Sequence, residues 1–287
     1  MTQKTYTITC IERSAQFIAN QIAAGHTPSL DQIAQASNLS KFHFHRLYRL
    51  VTGETCAQTI TRLRLAKGAG GLDGSPGSVT EAALTAGYSS SQAFAKALKR
   101  ATGASASQIS SFEGRISQVI ETFSVPGTPA ETAALAVELV SLDPFTVMVR
   151  RTEGTYPELN RTYIDLFMAA GAPDQVEAIL GWPHGDIGDP KSLIFDCGLK
   201  LHSGLPDMPD GISARDEPAG TFICARHSGS YDGLGDTLDT AYAILGTLDH
   251  AKPADRPCLF HYLDDPDEVA EDNLRTDIYV PVEQIAA

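Results

Sequence analysis

The chain has 287 residues, of which 43% are hydrophobic and 20% are charged. This is the composition of a globular protein with one large or two ordinary domains, and it excludes the fibrous and disordered classes. The net charge of −13 is unevenly divided, because residues 1–115 carry 12 Lys and Arg against 6 Asp and Glu, whereas residues 116–287 carry 10 against 29. A basic half joined to an acidic half indicates that only the first half meets a polyanion.

Cysteine usage and hydropathy bear on the compartment. The five cysteines are scattered, odd in number and never spaced as Cys-x-x-Cys, which argues against a disulfide framework or a zinc ribbon. No apolar run approaches the length of a membrane span, and the first ten residues lack the basic-then-apolar order of a signal peptide. We therefore expect a cytoplasmic protein with no cofactor and no membrane partner.

The basic half contains an internal repeat with an offset of 50 residues. Each copy predicts a short apolar helix, a tight turn, a second helix opened by Ser and a Thr-Gly stop, over about 28–53 and 78–103. The recurring pairs are Ser40 and Ser90, Phe44 and Phe94, Thr52 and Thr102, Gly53 and Gly103, and Gln58 and Gln108.

The second helix of the first copy has two different faces. Phe44, Leu47, Tyr48 and Val51 recur at helical spacing and are expected to face the core, which leaves a largely basic outer face. In the second copy, the apolar residues expected to pack the first helix are Val79, Ala83 and Leu84. Two helices joined by a tight turn, with a basic outer face on the second, form the geometry that enters a DNA major groove. Solvated helix pairs without a partner are the alternative interpretation of this pattern.

The runs 39–53 and 86–103 resemble the two helix-turn-helix units of the AraC family. The resemblance covers about residues 6–112 and implies an all-α DNA-binding domain over residues 1–113, whose two recognition helices read successive major-groove segments of double-stranded DNA. By position, it implies DNA contacts from Phe42, His45 and Arg46 in the first recognition helix, and from Ser91, Gln92, Ala95 and Lys96 in the second.

The chemistry of these positions suits DNA. Arg46 can bind a guanine edge or a phosphate, and Gln92 can pair with adenine. Phosphate contacts would add an affinity that is independent of sequence and weakens with salt. The residues expected to make them are Lys41, Arg49, Lys96, Lys99 and Arg100.

The connection between the two units, residues 67–77, is rich in glycine. Each interior glycine costs a helix about 1 kcal/mol relative to alanine. We therefore expect the helix that links the units to end early. A second unit set loosely against the first would lose DNA affinity through poorer preorganisation.

After a linker expected at residues 114–136, the pattern changes to strands, and a second repeat appears with an offset of 75 residues. Its matching pairs are Arg151 and Arg226, Gly154 and Gly229, Tyr156 and Tyr231, and Gly171 and Gly246. Two strand-helix-strand-strand units predict an α+β domain over residues 137–287. Such duplicated units leave a groove between them, where ligands tend to bind.

The runs 226–231, 262–266 and 274–282 resemble the GyrI-like (gyrase-inhibitor-like) effector-binding domain. The resemblance covers about residues 137–287 and implies a small organic effector, often cationic, in a central groove. Members often carry a Glu near the start of the Tyr-Leu-x-Asp-Pro strand, where this chain has Leu259-Phe260-His261. The two resemblances together imply a sequence-specific transcription regulator with RNA polymerase as a partner.

Six residues are expected to line the effector groove: Tyr156, Trp182, Tyr231, Phe260, His261 and Tyr279. Phe260 and His261 are neighbours on one strand, so only one of them can face the groove. The alternatives are a loop-anchoring role for Trp182 and helix packing for Tyr156 and Tyr231.

An enzyme is the main competing class, because His227, Ser228 and His261 could take part in hydrolysis. The sequence contains no Gly-x-Ser-x-Gly, phosphate loop, His-Glu-x-x-His or metal-spaced cluster. The alternative function is thus a GyrI-like hydrolase or ligand carrier with a weakened DNA-binding half. A pure interaction protein would leave the two recognition-type helices unexplained.

Overall fold

The computed structural model describes residues 3–39, 41–72, 74–75, 77–111, 115–124, 135–184, 193–248 and 251–284. The described residues cluster into two compact units. One unit combines residues 8–39 and 47–130, and the other combines residues 1–7, 40–46 and 131–287.

Within its described residues, the N-terminal part of the chain contains helices and no strands. Its helices are α1 (Gln3–Ala23), α2 (Leu30–Ser37), α3 (Lys41–Thr52), α4 (Cys56–Ala69), α5 (Ser78–Thr85), α6 (Ser91–Thr102), α7 (Ala106–Ser110) and α8 (Arg115–Ser124). Helices α2 and α3 form the first predicted helix pair and α5 and α6 the second, so the all-α double helix-turn-helix prediction is confirmed.

The offset of 50 residues has a physical basis in the helix caps. Thr55 and Gln58 form a reciprocal capping box at the start of α4, and Ser105 and Gln108 form the same box at the start of α7. Gly103 ends α6 in the left-handed conformation at φ 74°, which an L-residue rarely adopts. The Thr-Gly stop predicted from the sequence is therefore a real helix terminator.

The glycines between the two helix-turn-helix units allow close packing. Helix α4 ends at Ala69, as expected, but a Cβ on Gly68 would lie only 2.5 Å from the ring of Phe94 and 2.9 Å from Ala86 Cβ. Gly68 therefore lets α6 approach α4 closely, so the glycine-rich connection does not leave α6 loosely packed. Leu84, expected to pack in the core, is 69% exposed.

The expected linker contains a helix. Residues 115–124 form α8, which packs against α4 and contributes Val119 and Phe123 to the core around Phe94 and Leu98. The linker prediction rested on the Pro, Gly and Thr residues after 124, and it overlooked the apolar spacing of 116, 119, 120 and 123.

The C-terminal part alternates strands and helices. Its elements are β1 (Val137–Leu142), β2 (Phe145–Gly154), α9 (Tyr156–Ala170), β3 (Val176–His184), β4 (Leu193–Leu201), β5 (Ser213–Glu217), β6 (Gly220–Ser228), α10 (Leu234–Leu245), β7 (Ala251–Pro253), β8 (Leu259–Tyr262) and β9 (Arg275–Gln284). Short 3-10 turns lie at Pro173–Gln175, Tyr231–Gly233 and Glu271–Asn273.

The strands form one antiparallel sheet in the order β1-β6-β9-β8-β3-β4-β2-β5, with β7 paired to β9. One predicted unit is β2-α9-β3-β4 and the other is β6-α10-β8-β9. They join where β3 pairs with β8, with Leu180 opposite His261. The predicted duplicated α+β fold is confirmed, with β1 and β5 added at the two outer edges.

The two helices lie over the strands on either side of the central pair. Helix α9 packs on β2 and β4, and α10 packs on β6 and β9, so the central pair β3 and β8 lies between the helices. None of the helices in the described part of the chain combines the length and apolar composition needed to span a bilayer.

Candidate functional site

The outer face of α6 presents polar and basic residues to solvent. Ser90 caps the helix by accepting a hydrogen bond from the Ala93 backbone at 3.2 Å, and Phe94 and Leu98 are buried on the inner face. On the other side Ser91 is half-buried, and the longer side chains are exposed: Gln92, Lys96, Lys99 and Arg100. This arrangement offers one amide that can read a base edge and three cations that can reach phosphates.

The first recognition helix, α3, does not present the same row of exposed polar and basic side chains as α6. Arg49 is exposed and His45 half-buried, whereas the side chains of Lys41 and Phe42 lie outside the described residues. Arg46 was expected on the outer face, but it is only 4% exposed, and its guanidinium donates a hydrogen bond of 2.5 Å to Asp239 Oδ1. The helical period places Arg46 opposite the local core correctly, but it cannot foresee a carboxylate from a distant part of the sequence.

The expected effector residues separate onto the two faces of the sheet. Side chains alternate along a strand, so Phe260 faces the helices and His261 faces away from them. Phe260 shares the helix-side face with Tyr262, and their ring centroids are 6.5 Å apart. Tyr231, in the turn before α10, lies 5.4 Å from the Tyr262 ring. Tyr156 begins α9, but its side chain lies outside the described residues.

An aromatic cluster therefore occupies the helix-side groove between α9 and α10. Tyr163 of α9 reaches it from the opposite wall, with its ring 6.0 Å from that of Tyr262 and its hydroxyl donating to the Leu180 carbonyl at 2.8 Å. A Cβ on Gly181 would lie 3.0 Å from the Tyr163 hydroxyl and 3.3 Å from Tyr262, so only glycine lets the two tyrosines meet over the floor. We define the aromatic groove as Tyr163, Gly181, Tyr231, Phe260 and Tyr262.

Two tyrosines of the aromatic groove, Tyr163 and Tyr231, are held in their neutral form. Burial raises the pKa of Tyr163 well above its usual value, and the neighbouring Tyr262 adds to the shift. Burial also raises the pKa of Tyr231, together with the negative charges of Asp264 and Asp265. The groove thus offers ring faces and phenolic hydroxyls, and its mouth carries acidic groups near Tyr231.

Trp182, His261 and Tyr279 lie on the other face of the sheet. Of the neighbours Phe260 and His261 it is therefore Phe260 that faces the helices, and the expectation that Trp182 and Tyr279 line the same groove as Tyr231 is wrong. Trp182 is fully buried within β3 instead of anchoring a loop, in a core cluster against which Tyr279 packs. Its indole nitrogen donates to Glu217 Oε2 at 3.1 Å, and the guanidinium of Arg215 stacks 4.3 Å above its ring.

The polar groups around Trp182 already bind one another. Glu217 accepts hydrogen bonds from Arg215 and Arg256 as well as Trp182, and Asp196 accepts from Arg151, His184 and Arg215. A surface depression of about 410 Å³ adjoins this network and is lined by Pro144, Phe145, Thr146, Asp216, Glu217 and Pro218. The carboxylates of Glu217 and Asp196 are already hydrogen-bonded within this network. This face of the sheet therefore serves stability and leaves few polar groups available to bind a ligand.

His227 and Ser228, which were considered for hydrolysis, are neighbours on β6 and so point to opposite faces of the sheet. His227 Nε2 donates to the Ser230 backbone carbonyl at 2.9 Å, and its Nδ1 accepts from the Thr237 hydroxyl at 2.7 Å. The Ser230 hydroxyl instead donates to Glu271 at 2.5 Å. Burial lowers the pKa of His261, which lies on the other face of the sheet. In the described part of the chain, no cluster of His, Cys, Asp and Glu could hold a metal ion.

Sequence reasoning missed Tyr163, Gly181 and Tyr262. Two signals could have found them. Tyr262 is two residues after Phe260 and so shares its face of the strand, and Tyr163 follows Tyr156 by seven residues, which is two helical turns. No pattern in the sequence marks Gly181, because the close approach of the two tyrosines at this residue depends on the pairing of β3 with β8.

Comparison with known proteins agrees with this division. Residues 135–283 match the model of the GyrI-like small molecule binding domain, and residues 33–111 match the model of a helix-turn-helix domain. The chain is 29% identical over 109 residues to a protein of Escherichia coli (strain K12) named probable transcriptional regulator YgiV, which covers 36% of this chain and 64% of that protein.

A second relative is also named as a regulator of transcription. The HTH-type transcriptional activator AarP of Providencia stuartii is 37% identical over 79 residues, which covers 28% of this chain and 58% of that protein. The chain thus spans less than two thirds of the length of these curated relatives. Among solved structures, the C-terminal domain of EcmrR superposes with a TM-score of 0.46 at 14% identity, covering 53% of this chain and 100% of that one.

Proposed function

The chain belongs to the GyrI-like family of small-molecule-binding domains, and from that premise we propose that it is a DNA-binding transcription regulator controlled by a small organic effector. One observation carries the proposal. Helix α6 is the second helix of a helix-turn-helix pair, and its solvent face combines Gln92 with Lys96 and Lys99 over a fully packed inner face. This is the arrangement that reads the major groove while holding the flanking phosphates.

The test is a selection of duplexes from a random pool by the full chain, followed by affinity measurements at several salt concentrations. Gln92→Ala should relax the base preference at one position, with a loss of about 1–3 kcal/mol in discrimination. Lys96→Ala should weaken binding to all duplexes and reduce the slope of log affinity against log salt by about 1.

Lys252→Ala is the matched control, because it removes an exposed lysine from β7 and should change neither property. Selection of no preferred duplex would contradict the proposal. An unchanged salt slope in Lys96→Ala would contradict the role given to α6.

For the effector, we infer that the aromatic groove between α9 and α10 is the binding site. Ring centroids 5.4–6.5 Å apart show that these rings already contact one another edge to face, so a planar ligand would stack on their outer faces. The groove lies between the duplicated halves, where ligand sites tend to form. Phe260 is fully buried beneath the tyrosines, so the rings that an effector can contact are those of the half-buried Tyr163, Tyr231 and Tyr262.

The remaining assignments follow from this function. We propose that the protein works in the cytoplasm, with RNA polymerase as a further partner, since the relative AarP is named a transcriptional activator. We propose no catalytic step, because Thr237 and the Ser230 carbonyl occupy both ring nitrogens of His227, and Ser228 lies on the opposite face of β6.

A further inference from the structure

The first residues of α3, up to Arg46, belong to the compact unit that also contains residues 131–287. Arg46 and His43 lie three residues apart, on one side of the helix, and both are buried. The Arg46 guanidinium pairs with Asp239 of α10 at 2.5 Å, and the Asp239 side chain is only 14% exposed. An ion pair shielded from water to this degree is screened much less by salt than a surface pair.

His43 is fixed beside this pair by two hydrogen bonds. Its Nε2 donates to the Ala254 carbonyl, which can only accept, so its Nδ1 accepts a hydrogen bond from the Tyr242 hydroxyl. Tyr242 and Asp239 are both residues of α10 and lie three residues apart, as His43 and Arg46 do on α3. Two adjacent side chains of one helix are therefore bound by two adjacent side chains of another.

These contacts compete with DNA. The Asp239 carboxylate gives Arg46 the same hydrogen-bonding partner that a phosphate oxygen would give, so Arg46 cannot serve both at once. The corresponding face of α6 differs, because Gln92 and Lys96 are exposed. One recognition helix is thus open to solvent, whereas the other has its principal cation engaged within the protein.

We propose that Asp239 acts as an internal substitute for DNA phosphate, and that the Arg46–Asp239 pair holds the first recognition helix in an occluded, autoinhibited state. The inference rests on the proposed function as a DNA-binding regulator. It assigns the control point to α10, the helix that follows Tyr231 of the aromatic groove. A ligand that shifts this helix would act on Arg46 directly.

The test compares two substitutions on α10 in the full chain, with the duplex enriched by the wild-type chain as the probe. Asp239→Asn should raise DNA affinity about tenfold, which is the gain expected if about nine tenths of the molecules are occluded. Asp236→Asn is the matched control, because Asp236 is exposed one turn earlier on α10 and should leave affinity unchanged. In an Arg46→Ala background, Asp239→Asn should bring no gain.

Tyr242→Phe provides a second variant should Asp239→Asn fail to fold. It removes the hydroxyl that binds His43 and keeps the ring in the core, so DNA affinity should again rise. A chain that enriches no duplex would overturn the proposed function and this inference together. A chain that binds DNA but gains nothing from Asp239→Asn, or from Tyr242→Phe where the first variant is unfolded, would overturn this inference alone.

Discussion

Arg226 and Asp277 face each other across β6 and β9 and are joined by two hydrogen bonds, Nε to Oδ1 at 2.7 Å and Nη2 to Oδ2 at 2.8 Å. Arg151 and Asp196 make the same fork across β2 and β4, at 2.7 and 3.0 Å. Both halves of the duplicated domain thus carry a bidentate pair at equivalent places on the same face of the sheet. In the first half, His184 and Arg215 also donate hydrogen bonds to Asp196. The Asp196 carboxylate therefore accepts from more side chains than the Asp277 carboxylate does.

Asp196→Asn should destabilise the effector domain by about 1–3 kcal/mol, since it removes the buried charge to which three partly exposed donors, Arg151, His184 and Arg215, are hydrogen-bonded. Although burial alone would raise it, hydrogen bonds from His184 and Arg151 hold the pKa of Asp196 well below its usual range. A carboxyl whose pKa is lower in the folded state stabilises the fold above its unfolded pKa of about 3.9 and loses that contribution as pH falls further.

Urea denaturation of wild type and Asp196→Asn between neutral pH and the acid limit measures both effects. The variant should lack the part of the acid destabilisation that begins below about pH 4. Asp165→Asn, which breaks an exposed pair with Arg150, is the control and should be nearly neutral. Equal stability losses in the two variants would refute the role given to Asp196.

Gly68→Ala should destabilise the helical unit even though alanine favours a helix. The propensity gain is about 1 kcal/mol, whereas a Cβ 2.5 Å from the Phe94 ring forces α4 and α6 apart at a cost of about 1–3 kcal/mol. Gly70→Ala, at φ −62° with its nearest Cβ neighbour at 3.5 Å, should be neutral or stabilising. Melting temperatures of the two variants decide the matter, and a more stable Gly68→Ala would show that the close approach is unimportant.

The sequence predicted those features that depend on local chemistry. Gln58 and Gln108 matched at an offset of 50 residues because each closes a capping box, and such a box is formed within four residues. The strands of the duplicated domain were similarly indicated by runs of β-branched residues. Both features can be predicted from the sequence because they are determined by residues that are close together in the chain.

Features that depend on strand register and distant partners could not be predicted. The segment Gly181-Trp182-Pro183 suggested a loop, because Pro and Gly usually interrupt strands, yet it lies inside β3 between β4 and β8. Gly198 on β4 makes room for the Trp182 ring, since a Cβ there would lie 2.7 Å from it. The partner of Arg46 is 193 residues away in sequence, so no local pattern could reveal that this arginine is buried.

The aromatic groove should bind planar apolar compounds through Tyr231. Titration with the uncharged dye Nile red should give saturable fluorescence enhancement in the wild type, and Tyr231→Ala should weaken its affinity about tenfold, as expected for the loss of one aromatic contact. Tyr279→Ala is the matched control, because it removes the same side chain from the opposite face of the sheet. Loss of dye affinity in Tyr279→Ala alone would move the site to that face.

His43 should make stability depend on pH between about 4 and 6.5. Burial lowers its pKa to about 4, against smaller raising effects of the Ala254 carbonyl and Asp255, and Arg46 lowers it further. Within this window the unfolded chain binds the proton and the folded chain does not, so stability rises with pH and is lost on acidification. Across the whole interval between the two pKa values the change in stability is about 3 kcal/mol.

Urea denaturation from pH 4.5 to 7.5 should show this slope of stability against pH in the wild type, and His43→Gln should flatten it. His26→Gln, at an exposed histidine, should leave the slope unchanged. An equal slope in wild type and His43→Gln would mean that the imidazole remains accessible to protons in the folded chain.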